Sequence, residues 1–329
     1  MTFLPLLRSV TLAAAASLAA FPALADTTWI MASGYPESSF FTQNLRQFTE
    51  AVEARTDGRL KIDLRSNDSL IKLDSIKRAV QAGHIQAGEI RLSVYGNEDE
   101  LYNLDNIPGV ATTLEEARQL MEAQAPLFDE RFAQDGMRIL AYEPWPGQGF
   151  YTSESIDSLE DLEGIKLRIY SQQTQQLGEG LGADAIILPF AEVPQAFATN
   201  MIEALWTSAQ TGTDIQAWEY LDVFTYTGTM HQKNAVIVNE RAFRSLPEDV
   251  RQVVLEEGRR ATERAWEMAE AAGEERVRVL EEHGMQIAEA PEDVLARIDE
   301  IGEELIAEWL EDADPDEQAV YRAYRASLD

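Results

Sequence analysis

Strand-like and helix-like runs alternate along nearly the whole of this 329-residue chain, and a Pro/Gly cluster cuts the alternation in two. A strand at 28–33 leads to a helix after Tyr35-Pro36, with Phe40, Phe41, Leu45, Phe48 and Val52 at helical spacing. Asp57-Gly58 ends that helix. A strand at 59–64, a helix at 75–82, a strand at 89–94, a helix at 113–125 stopping before Pro126, and a strand at 137–142 follow. Such alternation specifies an α/β domain on an open sheet. Pro144, Pro146, Gly147 and Gly149 then mark a crossing into a second α/β unit. Its strands are expected at 148–153, 165–170, 185–188 and 201–206, and its helices at 172–181, 191–198 and 214–220. The chain returns through 228–233 into a strand at 235–238. From Pro247 to about Gly284 an Ala-, Glu- and Arg-rich stretch predicts one long helix. A last helix starts near Pro291, and the charged C-terminus is expected to pack only in part.

The first residues read as an export signal. Arg8 supplies positive charge, Val10 to Ala20 a short apolar run, and Ala23-Leu24-Ala25 a cleavage site, so the mature chain is expected to start at Asp26, outside the cytoplasm. No later run is long and apolar enough to span a bilayer. There is no cysteine, which excludes disulfides, thiolate metal sites and thiol nucleophiles. The formal net charge of -31 argues against nucleic acid and anionic membrane surfaces as partners.

Within that acidic chain one cation stands out. In the run Ile165-Lys166-Leu167-Arg168-Ile169-Tyr170, the residues Ile165, Leu167 and Ile169 share one face of a strand, and Lys166, Arg168 and Tyr170 share the other. The strand can bury its apolar face and aim a guanidinium the other way. The guanidinium fork matches a carboxylate bidentately, so Arg168 is a candidate anchor for an anionic ligand.

Several segments, taken in order, resemble the solute-binding proteins of tripartite ATP-independent periplasmic (TRAP) transporters. They are Met31-Ala32-Ser33-Gly34, Thr56-Asp57-Gly58-Arg59-Leu60, the run Tyr102 to Pro108, the Pro-Trp-Pro-Gly-Gln-Gly stretch at 144–149, the run Asp161 to Arg168, Leu181-Gly182-Ala183, the run Ala191 to Phe197, and Val238-Asn239 before Ala242-Phe243. The resemblance implies an α/β, two-domain periplasmic binding protein fold, type II-like, with an interdomain cleft and a long helix spanning both domains. The first domain would comprise 26–146 and about 232–260, after a signal peptide at 1–25. The second would comprise 147–231, completed by parts of the C-terminal helices in 261–329. The implied partners are a small organic acid and the membrane permease subunits, with no cofactor and no membrane insertion after signal cleavage.

By the same resemblance Arg168 forms a salt bridge with the ligand carboxylate. Around it, Gln148 and Phe150 stand where the chain enters the second domain; Gln148 equally fits a turn. Some relatives place a second arginine near there, and this chain has none, which points to a monocarboxylate. Ser208 stands about where many relatives carry a ligand-touching asparagine. Trp206 is either a wall of the same space or core. Glu192 either orients Arg168 or stabilises a helix N-terminus. In the first domain Tyr35, Phe40, Glu89, Arg91 and Tyr95 are candidates for the opposite wall. Glu89 and Arg91 share a strand face, as a surface ion pair or as polar contacts made when the cleft shuts.

The sequence carries no His-Glu metal spacing and no Gly-x-Ser-x-Gly elbow. The expectation is therefore a binding protein and not an enzyme. It captures a compact monocarboxylate, an aromatic acid first. Small 2-oxo or 2-hydroxy acids and then C4-dicarboxylates are the alternatives. A secreted hydrolase or lyase and a sensory binding protein are the rival classes.

Overall fold

The computed structural model describes residues 27–328, so the signal segment and its cleavage site lie outside the described residues. The first half runs β1 (Thr27–Ala32), α1 (Phe40–Arg55), β2 (Leu60–Arg65), α2 (Ile76–Gln81), β3 (Ala87–Arg91), α3 (Leu114–Gln134) and β4 (Met137–Pro144). After Trp145-Pro146-Gly147 come β5 (Gln148–Thr152), β6 (Lys166–Ile169), α4 (Gln172–Gly180), β7 (Asp184–Ile187), α5 (Val193–Ala198), β8 (Ala204–Ser208), α6 (Ala209–Asp214) and β9 (Val223–Tyr226). The chain then returns as β10 (Lys233–Asn239), α7 (Glu240–Arg244), α8 (Glu248–Glu282), β11 (Gln286–Glu289), α9 (Glu292–Asp312) and α10 (Pro315–Ser327).

Two sheets result, with orders β2-β1-β3-β10-β4 and β11-β9-β5-β8-β6-β7. In each, the strand that follows a crossing, β10 or β5, lies antiparallel to both of its neighbours. The 35 residues of α8 extend for about 50 Å at 1.5 Å per residue. That length lets one helix pack on α1 and β4 at one end and on α6 and β11 at the other. Its approach to the first sheet depends on Gly258, where a Cβ would sit 2.3 Å from the Leu140 carbonyl oxygen.

Several sequence expectations are corrected. Pro126 lies inside α3 and does not end it. The apolar stripe of Leu120, Leu127, Phe128 and Phe132 continues past it, and burial of that stripe outweighs one lost backbone hydrogen bond. The helix expected at 214–220 is replaced by α6 and a short 3-10 turn, separated at Gln216, which adopts φ 55°. The strand expected at 89–94 ends at Arg91, where a 3-10 turn begins. The C-terminus packs in part, as expected: α10 lies on α3 with Tyr324 buried, while most of its other residues are exposed or half-buried. That helix therefore completes the first unit and not the second. Helix α9 bridges the two, with Ile301 against Gly180 and Gly302 against the Pro108 carbonyl.

Candidate functional site

The C-terminal ends of the two sheets face each other across the crossings, and the chemistry gathers there. Arg168 on β6 is 1 % exposed. It pairs in register with Leu205 of β8 and Ile186 of β7, so these side chains share one face of the sheet. Its Nε and Nη2 donate to the Leu188 carbonyl at 3.1 and 2.9 Å. Among the described residues no carboxylate forms a salt bridge with it. Burial and the neighbouring Arg91 lower its pKa to about 9, so it stays charged at neutral pH.

Arg91, at the end of β3 in the other sheet, is the second cation. Its guanidinium lies 5.2 Å from the Tyr170 ring centre, and that of Arg168 lies 5.4 Å from the same ring. Arg91 approaches Asp74 at 4.0 Å, its Nη2 reaches the Tyr170 carbonyl at 3.5 Å, and its buried Nε has no partner. The Tyr35 hydroxyl is likewise buried and unpartnered. The Tyr35 ring packs on Trp145 at 5.4 Å and on Phe190 of the second unit at 5.7 Å. A cavity of about 250 Å³ lined by Asp74, Arg91, Tyr170, Ile187 and Leu188 opens at this cluster. A larger one, about 880 Å³, lies behind the crossings beside Pro146, Tyr226 and Ala269, and it touches neither arginine.

Beneath Arg91, Glu89 accepts from Ser33 Oγ at 2.6 Å and from Asn234 Nδ2 at 2.8 Å. Burial raises its pKa to about 7. Glu143, held by Asn44 Nδ2 at 2.7 Å, is pushed up by burial and by Glu89 beside it. Burial thus favours the protonated form of both carboxyls, and repulsion adds to it at Glu143. Glu89 and Arg91 are not a surface ion pair: both are buried, and each has other partners.

The remaining candidates divide. Gln148 accepts from the Tyr170 hydroxyl at 3.2 Å and donates to the Pro146 carbonyl at 3.0 Å, so it braces Tyr170. Phe150 and Trp206 pair in register and stack at 5.7 Å, on the sheet face opposite Arg168, because Leu205 and not Trp206 shares the arginine's face. The β8 side chain on the arginine's face beside Leu205 is Thr207. Ser208 Oγ caps α6 by accepting from the Thr211 amide. Glu192 is exposed and does not orient Arg168, whose donors are held by Leu188. Phe40 stacks on Phe41, and Tyr95 packs near Lys77 and Tyr102 in the first unit. The sequence reading missed Tyr170, which lines the cavity beside Arg91, and Trp145 and Phe190, which pack on Tyr35. Each had a signal: Trp145 between two prolines, Tyr170 on the strand face of Arg168, and Phe190 just ahead of Ala191-Glu192. Arg91, one of the candidates for the opposite wall, is the cation that the first unit brings to this cluster.

The model of bacterial extracellular solute-binding protein family 7 matches residues 31–312. The structure resembles that of DctP7, a Bordetella pertussis extracytoplasmic solute receptor binding pyroglutamic acid, with 37% identity, TM-score 0.89, and 91% of this chain and 99% of that one covered. It also resembles a marine metagenome TRAP solute binding protein specific for pyroglutamate, with 31% identity, TM-score 0.88, and coverage of 92% and 99%. A curated solute-binding protein of a Sulfitobacter species is 26% identical over 253 residues, 76% of this chain and 77% of that one. This chain belongs to family 7 of the bacterial extracellular solute-binding proteins, the binding proteins of TRAP transporters.

Proposed function

We propose that this protein captures a compact, ring-bearing monocarboxylate of the pyroglutamate class in the periplasm and delivers it to a TRAP permease, without chemistry on the ligand. The observation that carries the reading is the pair of buried guanidiniums, Arg168 from one unit and Arg91 from the other, flanking Tyr170 with unpaired donors on Arg91 and Tyr35 beside them. A buried guanidinium without a carboxylate partner and buried donors without acceptors are costly, and a carboxylate placed between them removes that cost. Glu89 and Glu143 are both pushed toward their neutral forms, which leaves Asp74 as the carboxylate beside Arg91. Two arginines against Asp74 leave about one positive charge, which favours a monoanion over a dianion. Trp145, Tyr35 and Phe190 supply flat apolar walls for a small ring. The likeness to receptors that bind pyroglutamate supports the same class.

Contacts from both units favour the closed form when ligand is present. The test is calorimetric titration of the chain from Asp26 with L-pyroglutamate, benzoate, L-lactate and L-malate. Tightest binding of pyroglutamate supports the reading. Tighter binding of benzoate restores the aromatic acid as ligand, and tighter binding of malate refutes the monoanion argument.

A further inference from the structure

Ser39 is the N-cap residue of α1, yet its hydroxyl makes no capping hydrogen bond, although serine at that position ordinarily caps. It is fully buried and faces the second unit instead. Gln210, in α6, donates from Nε2 to Asp214 Oδ1 at 2.8 Å and, more weakly, to Ser39 Oγ at 3.5 Å. Gln210 Oε1 in turn accepts from Arg276 Nε of α8 at 3.0 Å. Asp214 Oδ2 is buried without a hydrogen-bond partner, and the Ser39 hydroxyl is its neighbour. The three elements that meet here are the first helix of one unit, a helix of the other, and the helix that spans both.

The geometry points to Ser39, Gln210, Asp214 and Arg276 as a clasp that holds the two units shut over the ligand, with Gln210 and Asp214 as positioning residues and with a proton taken up on Asp214 as the clasp closes. The inference rests on reading the cleft as a ligand site that closes. The Ser39 hydroxyl can donate to an ionised Asp214 or accept from a protonated one; its hydrogen bond and that of Gln210 favour the ionised form, and burial, the larger influence, favours the protonated one. The charged and titratable groups around it are Arg276 from α8, which opposes protonation, Glu89 from β3, which favours it, and the Tyr151 hydroxyl from β5, which itself donates to the Ser208 carbonyl. In the closed form burial raises the Asp214 pKa to about 7. Opening admits water and separates Glu89 from it, which outweighs the loss of the Ser39 hydrogen bond and returns it toward the ordinary aspartate value of about 3.9. Closure therefore binds a proton between those limits, and affinity falls as pH rises through that window, by at most about tenfold per unit.

The experiment measures the dissociation constant of L-pyroglutamate at pH 5, 6, 7 and 8 for wild type, Asp214→Asn and Ser39→Ala. Glu89, raised to about 7 by burial, is present in all three proteins, so the difference in slope is what counts. Asp214→Asn is expected to bind within severalfold of wild type at pH 5 and to weaken less steeply toward pH 7. Ser39→Ala is expected to bind about tenfold more weakly at pH 5. Equal slopes for wild type and Asp214→Asn, or wild-type affinity in Ser39→Ala, overturn the clasp. If wild type binds no pyroglutamate, the ligand reading fails separately, and cleft closure itself carries the test. The chain has no cysteine, so Asn97→Cys and Ile187→Cys, both exposed at the cleft mouth, give a unique spin-label pair. A closed fraction that shrinks from pH 5 to pH 8, and does so less in the Asp214→Asn background, supports the clasp. The same response in both backgrounds overturns it.

Discussion

Replacing Arg168 by methionine separates a binding role from a structural one. The side chain is 1 % exposed, so the substitution keeps roughly the buried length and removes the charge. In the unliganded protein two effects oppose each other. The Leu188 carbonyl loses two donors at 3.1 and 2.9 Å, which costs about 1–3 kcal/mol. Removing a buried guanidinium that no carboxylate compensates returns a desolvation penalty of similar size. The melting temperature without ligand is therefore expected to stay within a few degrees of wild type. Binding behaves differently. A carboxylate enclosed against Arg91 and Tyr35 but without Arg168 has lost one partner of a buried ion pair, about 3–5 kcal/mol. At about 1.4 kcal/mol per factor of ten, affinity drops by roughly two to nearly four orders of magnitude. Calorimetry with L-pyroglutamate, beside thermal melts with and without it, reads both quantities. A variant that melts normally and binds within threefold of wild type would refute the anchor. A variant that unfolds would show that Arg168 is structural.

Three further outcomes follow from the same geometry. Arg91→Met is expected to lower pyroglutamate affinity by about ten- to a hundredfold, because the interaction made on closure is lost; an unchanged dissociation constant in calorimetry would remove Arg91 from the site. Glu89 keeps its proton up to about pH 7 in the folded chain against about 4.3 when unfolded, so its contribution is fully present below the lower value and is lost as pH rises through the upper one. Melting curves of wild type should therefore fall from pH 5 to pH 8 relative to Glu143→Gln, which lacks one of the two carboxyls, and parallel curves would deny the pair. Gly258→Ala drives a methyl to within 2.3 Å of the Leu140 carbonyl, and despite a helix-propensity gain of about 1 kcal/mol it is expected to destabilise by about 1–2 kcal/mol net, read in urea unfolding.

The parts of this fold that were legible in the sequence are those written in local pattern. The period-two run of β6 placed Arg168 opposite the apolar face of its strand, and the composition of α8 announced a single long helix. What was not legible depends on partners distant in the chain. The short edge strand β11 has no alternation of its own and exists because it pairs with β9. Pro126 reads as a helix end until the packing of Phe128 and Phe132 is known. In the site, Arg91 follows Glu89 by two residues and looks like half of a local pair; only the approach of the second unit sets it against the Tyr170 ring. For Trp206 the sequence left a wall and a core position open, and the register with Phe150 decides it by turning the ring to the face opposite Arg168. Register is a property of two strands at once, and a shift of one residue exchanges the faces.

The central claim is that two guanidiniums, one from each unit, enclose the carboxylate of a small ring. A crystal structure of the mature chain grown with L-pyroglutamate tests it most directly. The account predicts the carboxylate within about 3 Å of both Arg91 and Arg168, with the Tyr35 hydroxyl donating to the ligand. A ligand whose carboxylate meets neither arginine, or a closed, empty cleft at saturating pyroglutamate, would contradict it.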